Sequence, residues 1–470
     1  MSQTPSIDEI RARVSRKIES LDPGTPVAST VVFRLKRSEE ARFEKSTDYL
    51  EKAATTLPGN IAFTFERGSE DSARDTVEYT SSGAWESAEA FRQYWESADL
   101  KHFLHGLEDF VVETPQAKFS FDGVSTGTSV LRTGQTDCWN TSGTAINCQG
   151  TGQDGDIRAG LPSPNPRFVD NTNGTVTDNL TGLTWLKDAD TFGEVTWDQA
   201  LINANGLVSG SPGLSDGSAR GDWRLPNLRE LLSLIDYGAS NPIVTAGHPF
   251  TNVRSALYWT STSLAPAPKL AWMMTLGIGP TVFDLKISAS RMWPVRGRKG
   301  RVPRTGQKTC WDTHGVEIPA ANTGQDGDIQ AGVPFPTSRF IDNGDGTATD
   351  QLTTLVWLKN ANPFGFRNWE QALKACNSLE SGTHGLADNS VPGDWRLPNI
   401  REIESLVDYG NFGPSLPTGH PFTDVRPSSY WTSTSVSAAP TEAMFIILGV
   451  GPSIFENKEH PFFVWPVRDP

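Results

Sequence analysis

The stretch Gly221–Asn227 reads GDWRLPN, and the same seven letters return at Gly393–Asn399. Asn227 is followed three residues later by Glu230, and Asn399 by Glu402. That spacing is a capping box: the Asn side chain accepts from the N3 amide while the N3 carboxylate reaches back to the N-cap amide. Leu228, Leu231, Leu232 and Ile235 then fall on one helical face, which Ile400, Ile403 and Val407 keep in the second occurrence. Pro226 and Pro398 hold the residue before them extended. The motif predicts an extended segment feeding a capped, buried helix. Trp223 and Trp395 are expected in the core. Arg224 and Arg396 are expected on an acidic partner or on backbone carbonyls, which suit a planar five-donor fork. A ligand site built on the Trp and Arg is the competing reading.

The two occurrences lie 172 positions apart, and the same offset relates Cys138 to Cys310, Trp185 to Trp357, His248 to His420 and Trp293 to Trp465. A unit of this length is too long for a solenoid repeat and marks a duplicated domain. The copies run over residues 131–297 and 303–470, and each is expected to fold around its own core. Within a copy, RFVDNTNGTVTDNLTGLTWLK reads as three short strands with two turns, and TWDQALINAN as a helix. YWTSTS, AWMMTLGIGP and RMWPVRG read as strands that close the sheet. DNGDGTATD, at Asp342–Asp350, signals a hairpin; a calcium loop is the alternative, although its spacing misses the Asp-x-Asp-x-Asp-Gly pattern.

The chain of 470 residues is 37% hydrophobic and 20% charged, with 43 Gly and 32 Pro, which favours short strands and ordered loops. Its net charge of −14 argues against nucleic acid as a partner. No apolar run reaches the ~18 residues that insertion in a membrane would need. The opening MSQTPSIDEIRARVSRKIES has no apolar core of a secretory leader, so a cytoplasmic location is expected. Cys138 and Cys148 bracket a short loop and are the disulfide candidate; two reduced thiols are the reading that the missing leader favours.

The blocks TGQDGD, RF.DN..GT.TDN.TGL.WLKDA, W.QAL, WRLPN..EL, YW.S and VRG resemble the Lcl C-terminal domain family, over about two thirds of the chain when both copies are taken together. The resemblance implies a C-type-lectin-like α+β fold, a binding role, and an extracellular or cell-surface location as the alternative compartment. Ala320 stands where the first copy has Cys148, so the disulfide could form only in the first copy. The calcium-dependent sugar signatures EPN, QPD and WND of C-type lectins are missing.

Ahead of the copies, residues 1–122 read as strand, helix, two strands, helical region and strand. This is the ferredoxin-like βαββαβ order. The Trp85–Leu104 stretch resembles the antibiotic-biosynthesis-monooxygenase superfamily, whose domains pair into dimeric α/β barrels and include cofactor-free oxygenases and haem-degrading enzymes. Its usual histidine positions fall at Tyr94 and Asp99; His102 and His105 lie further on, out of register. Tyr94, Trp95, Asp99 and His102 are the candidate N-terminal pocket, and Phe91, Trp95 and Phe103 are read as core or dimer interface.

The fold expected is therefore α+β: a ferredoxin-like dimerisation domain followed by two duplicated C-type-lectin-like domains. The function expected is that of a non-enzymatic binding protein, a homodimer through its N-terminal domain, with a glycan or protein ligand. The alternatives are a small cofactor-free or haem-related monooxygenase localised by the repeats, and a structural subunit of an assembly. No cofactor is expected; calcium and haem are the candidates otherwise. The ligand face is placed on the late loops, at Trp272, Met274 and Asp284 in the first copy and Met444 and Phe445 in the second. Trp223, Arg224, Asn227, Glu230, Trp395, Arg396, Asn399 and Glu402 are assigned structural roles. Asp154, Asp156, Asp326 and Asp328 read as turn residues rather than an acid–base set, and His248 and His420 as structural.

Overall fold

The computed structural model describes residues 27–56, 60–71, 75–85, 88–97, 100, 103, 116–120, 130–211, 213–297 and 301–470. Asp99, His102 and His105 lie outside the described residues, as does the N-terminal stretch read above for a leader. The chain divides into two compact units, Met1–Gly127 and Thr128–Pro470.

In the first unit, strand β1 (Val27–Lys36) leads through helix α1 (Glu40–Thr56) to β2 (Asn60–Asp71) and β3 (Thr76–Trp85), then α2 (Ala88–Glu96) and β4 (Gln116–Ser120). The sheet order is β2-β3-β1-β4, all antiparallel, which is the split βαββαβ arrangement the sequence predicts. Helix α1 buries Phe43, Thr47, Leu50 and Ala54, spaced along one face. Phe43 meets Phe33 of β1 and Tyr79 of β3, at ring separations of 5.6 and 5.1 Å. Phe91 and Tyr94 of α2 pack on Trp85 at 4.7 and 4.8 Å. Both helices thus cover the same sheet face.

The second unit contains both copies. The first comprises β5 (Cys138–Trp139), β6 (Ala145–Ile146), the single turn α3 (Asp154–Ile157), β7 (Phe168–Asp170), β8 (Thr175–Asp178), β9 (Leu183–Leu186), α4 (Trp197–Gly206), β10 (Trp223–Arg224), α5 (Leu228–Ser233), β11 (Leu257–Ser263), β12 (Leu270–Thr275), β13 (Thr281–Leu285) and β14 (Val295–Arg296). The second repeats the series as β15 (Cys310–Trp311), β16 (Glu317–Ile318), α6 (Asp326–Ile329), β17 (Phe340–Asp342), β18 (Thr347–Asp350), β19 (Val356–Leu358), α7 (Trp369–Asn377), α8 (Ile400–Leu406), β20 (Ser429–Ser435), β21 (Glu442–Ile447), β22 (Ser453–Asn457) and β23 (Val467–Arg468). The three strands predicted from RFVDNTNGTVTDNLTGLTWLK are β7, β8 and β9.

The late segments do not all close one sheet, as the sequence suggests. β10-β14-β9-β8-β7 form one sheet, whereas β11-β12-β13 form a separate one. The second copy has the equivalent sheets β17-β18-β19-β23 and β20-β21-β22. The continuous apolar run of β12 has a physical reason. Trp272 and Met274 enter one core cluster while Ala271 and Met273 enter another, so the strand is covered on both faces. β21 does the same with Met444 and Ile446 against Ala443 and Phe445.

Each copy was expected to have its own core, and here the structure differs. The largest buried cluster draws from both copies, with Trp272 edge-on to Tyr409 at 5.5 Å. The contacts between copies are reciprocal. Gln135 bonds both the amide and the carbonyl of Ser435, and Gln307 does the same with Ser263. Asn227 donates to Ala331 O, and Asn399 to Ala159 O. Thr281 and Ser453, which occupy the same position in the two copies, touch each other at 3.2 Å between hydroxyls. Reciprocal contacts with a self-contact in the middle define an isologous, two-fold arrangement inside one chain.

Candidate functional site

Both capping boxes form as the sequence predicts. Asn227 accepts from Glu230 N at 3.0 Å while Glu230 accepts from Asn227 N at 2.9 Å, and Asn399 and Glu402 repeat this at 3.0 and 2.8 Å. Arg224 clasps Glu230 with two bonds of 2.6 and 2.5 Å, and Arg396 clasps Glu402 with 2.6 and 2.7 Å. Trp223 and Trp395 are fully buried. The WRLPN motif thus places an ion pair beneath a helix start, where both terminal nitrogens of each arginine are already engaged.

The segments that precede each core sheet, residues 130–161 and 302–333, act as arms. Each closes on itself, through Arg132 N to Leu161 O and Arg304 N to Val333 O, and lays its far part on the other copy. Gly134 has φ +93°, and a Cβ there would stand 2.1 Å from Asp236 Oδ1; Gly306 meets Asp408 in the same way. That close approach explains why both TGQ and DYG recur in the repeat.

Asp154 and Asp326, in the single-turn helices of the arms, are buried to 2% exposure. Thr434 Oγ1 donates to Asp154 Oδ2 at 2.6 Å, and Thr262 and Thr305 donate to Asp326 Oδ2 at 2.7 and 2.6 Å. Burial pushes both carboxyls up to about 6, against the opposing pull of the hydroxyl bonds. Asp156 and Asp328 instead accept the amides of Gly152 and Gly324. In the hairpin weighed as a calcium loop, Asp342 pairs with Lys359 and Asp345 accepts from Thr347. Among the described residues no group of three or more His, Cys, Asp or Glu is placed to hold a metal ion.

Two lysines fasten the arm tips. Lys286 Nζ lies 4.1 Å from the Trp197 ring and donates to Trp311 O of the other arm at 2.9 Å. Lys458 stands 4.1 Å from Trp369 and donates to Trp139 O at 3.3 Å. Burial pulls Lys286 down to about 8 and Lys458 to about 7; Asp198 and Asp312 hold Lys286 the higher of the two. Cys138 and Cys148 are joined in a disulfide, while Cys310 and Cys376 are free and buried. His248 and His420 are partly buried beside Phe250 and Phe422, and burial lowers both.

The expected ligand face is corrected by burial. Trp272, Met274, Met444 and Phe445 do not stand on loops. They belong to the central strands β12 and β21 and are closed off from solvent by neighbours on both faces. Asp284, on the edge strand β13, is half-exposed and accepts the amide of Leu285. The residues that do face solvent there are Phe283 at 41%, Leu285 at 38% and Ile287 at 67%. In the second copy the same positions hold Phe455, Asn457 and Glu459. Period-two alternation in TVFDLKIS was the available signal for this row. Tyr94 and Trp95 are buried within the first unit.

Sequence reasoning also missed Arg229 and Arg401, the residues after the N1 position of α5 and α8. Arg229 Nη2 donates to Ser405 O and Val407 O, and Arg401 Nη2 to Ile235 O, so each caps the C-terminus of the other copy's helix. Their repetition beside a capping box was visible, but nothing local shows that they cross to the other copy.

Fold and contacts together define a mixed α+β chain with a duplicated, interlocked small-sheet unit behind a βαββαβ domain. The Lcl C-terminal domain model matches residues 174–296 and 346–468, more than half of the chain, and the chain belongs to that family. The matched stretches begin after each arm. No curated protein matches the chain. On the N-terminal part, solved structures with partial likeness include a putative antibiotic biosynthesis monooxygenase from Nitrosomonas europaea, with 17% identity, 21% of this chain, 92% of that one and a TM-score of 0.18. A putative antibiotic biosynthesis monooxygenase from Caulobacter crescentus shows 14% identity over 21% of this chain and 90% of that one, with a TM-score of 0.19. SnoaB, a cofactor-independent oxygenase from Streptomyces nogalater, shows 18% identity over 20% of this chain and 91% of that one, with a TM-score of 0.18. Among the described residues, no helix is long and apolar enough to cross a membrane.

Proposed function

We propose that this chain is a non-enzymatic binding protein whose interlocked, lectin-like pair of repeats carries the ligand face and whose N-terminal domain joins two chains. The observation that carries this reading is the row of Phe283 and Leu285 on the outer strand of a three-stranded sheet, continued by Ile287 in the turn that follows it. Large apolar side chains in a line on a sheet edge form a docking surface for an extended protein segment or the apolar face of a sugar. The second copy carries Asn457 and Glu459 at the matching positions, so the face belongs to one repeat.

In the first unit both helices lie on one sheet face, and a two-layer domain has its second face to cover. A second copy of the domain would do so, and pairing would double the ligand faces and raise avidity. The Cys138–Cys148 disulfide favours an oxidising compartment, which suits a surface or extracellular binder. The test is a glycan array and a protein pull-down with the full chain beside Phe283→Glu and Ile287→Glu variants. Binding that these variants abolish supports the reading; binding that survives both, or inert wild-type protein on both screens, removes it.

A further inference from the structure

A cavity of about 70 Å³ lies between the copies, lined by Val130 and Val302, Leu131 and Pro303, Arg229 and Arg401, Leu232 and Glu404, Ser233 and Ser405. Each named pair is one repeat position taken from both copies, 172 residues apart, so the cavity sits on the two-fold axis. By the same measure one water needs about 10–15 Å³, so there is room for several waters or one small polyatomic ion.

Its charge is unusual for this molecule. Six arginines are buried among the described residues. Arg167, Arg224, Arg339 and Arg396 are clasped by Asp178, Glu230, Asp350 and Glu402. Arg229 and Arg401, 8% and 9% exposed, bond main-chain carbonyls, and the Nε of each has no partner. Each also lies over a tyrosine ring, Tyr409 at 5.7 Å and Tyr237 at 5.8 Å, but a buried guanidinium bonded to no carboxylate keeps its full charge in a poor solvent for it. Glu404 shares the cavity at 6% exposure, with Oε1 unpartnered. Arg301 lines the cavity as well, so an ionised Glu404 leaves the three arginines with two positive charges in excess.

We propose that this axial cavity binds a small oxyanion of carboxylate or phosphate type between Arg229 and Arg401. Guanidinium groups match such oxygens in geometry, whereas chloride offers no oxygen pair. Glu404 limits the affinity, because its position is Leu232 in the other copy and its carboxylate repels the ligand.

The test is thermal unfolding of the full chain against phosphate, acetate and chloride at constant ionic strength. Saturable stabilisation by phosphate or acetate and none by chloride is the expected result. Glu404→Leu, which installs the side chain the first copy already accommodates, tightens the saturation several-fold. Arg401→Gln removes it. Arg401 also caps a helix, so a misfolded Arg401 variant shifts the decision to Glu404→Leu alone. No saturable response from either wild type or Glu404→Leu overturns the proposal, as does a response unchanged in a folded Arg401→Gln variant. Saturation by phosphate only, or by acetate only, identifies which oxyanion the site takes.

Discussion

Thr434 Oγ1 lies 2.6 Å from Asp154 Oδ2, and Thr262 Oγ1 lies 2.7 Å from Asp326 Oδ2, so each arm buries a carboxyl in the copy it did not come from. Both carboxyls rise from 3.8 to about 6 on burial. A raised carboxyl contributes stability that is fully present below its unfolded value and lost as pH climbs through its folded value. The loss therefore develops between about pH 4 and 6 and is flat above, at roughly 3 kcal/mol per aspartate. In urea unfolding, the stability of Asp154→Asn minus that of wild type should rise across this window and level off near pH 7. A difference independent of pH would mean that the carboxyl titrates normally.

Arg224 and Glu230 form a buried clasp, and removing one partner strands the other charge. Glu230→Ala should lower stability by about 3–5 kcal/mol. Asn227→Ala, which removes the cap and the bond to Ala331 O at about 1 kcal/mol each, should lower it by about 2 kcal/mol. Denaturant midpoints at constant slope distinguish the two. Equal losses would show that the cap, and not the ion pair, dominates this motif.

The clasp was legible because a capping box and a helical face are local: Asn227, Glu230 and Leu231 state them within five residues. The 172-residue offset and the βαββαβ order were legible for the same reason. The ligand face was misplaced because a run such as AWMMT reads alike in an exposed loop and in a strand covered twice; only the second layer over Trp272 separates them. The exchange of arms was invisible in principle. Gln135 and Ser435 are 300 residues apart, and either copy's Ser could have been the partner.

Asn140 stands where the second arm has Asp312, and Glu370, paired with Lys374, stands where the first copy has Asp198, so two lysines at one repeat position have different neighbours. Lys286 is held at about 8 with help from Asp312 and Asp198, whereas Lys458 falls to about 7. Asn140→Asp should bring Lys458 toward the value of Lys286. A depressed lysine contributes stability that is present above its unfolded value and lost as pH falls through its folded value. The substitution should therefore also recover stability near pH 7. Carbon-13 shifts of the lysine Cε carbons against pH read the titration directly; an unmoved Lys458 would place Asp312 outside effective range of Lys286.

The two-fold contact set makes a prediction about each copy alone. Residues 130–297 present Gln135 and Ser263, Asp154 and Thr262, and Arg229 and the Ile235 carbonyl, which are both halves of these cross-copy bonds. An isolated first copy cannot satisfy these within itself, because its arm reaches away from its own sheet. Two such chains can exchange arms and restore the set, with Leu232 facing Leu232 on the axis. Isolated residues 130–297 should therefore behave as a homodimer in light scattering at micromolar concentration. Residues 302–470 would bring two Glu404 side chains to that axis. Burial pushes Glu404 up to about 6 already with a single glutamate on the axis. This second dimer should be the weaker near pH 7 and tighten below pH 6, as the carboxyls take up protons and lose their mutual repulsion. A folded, monomeric first copy would show that the arms close at home when no neighbour is fused to them.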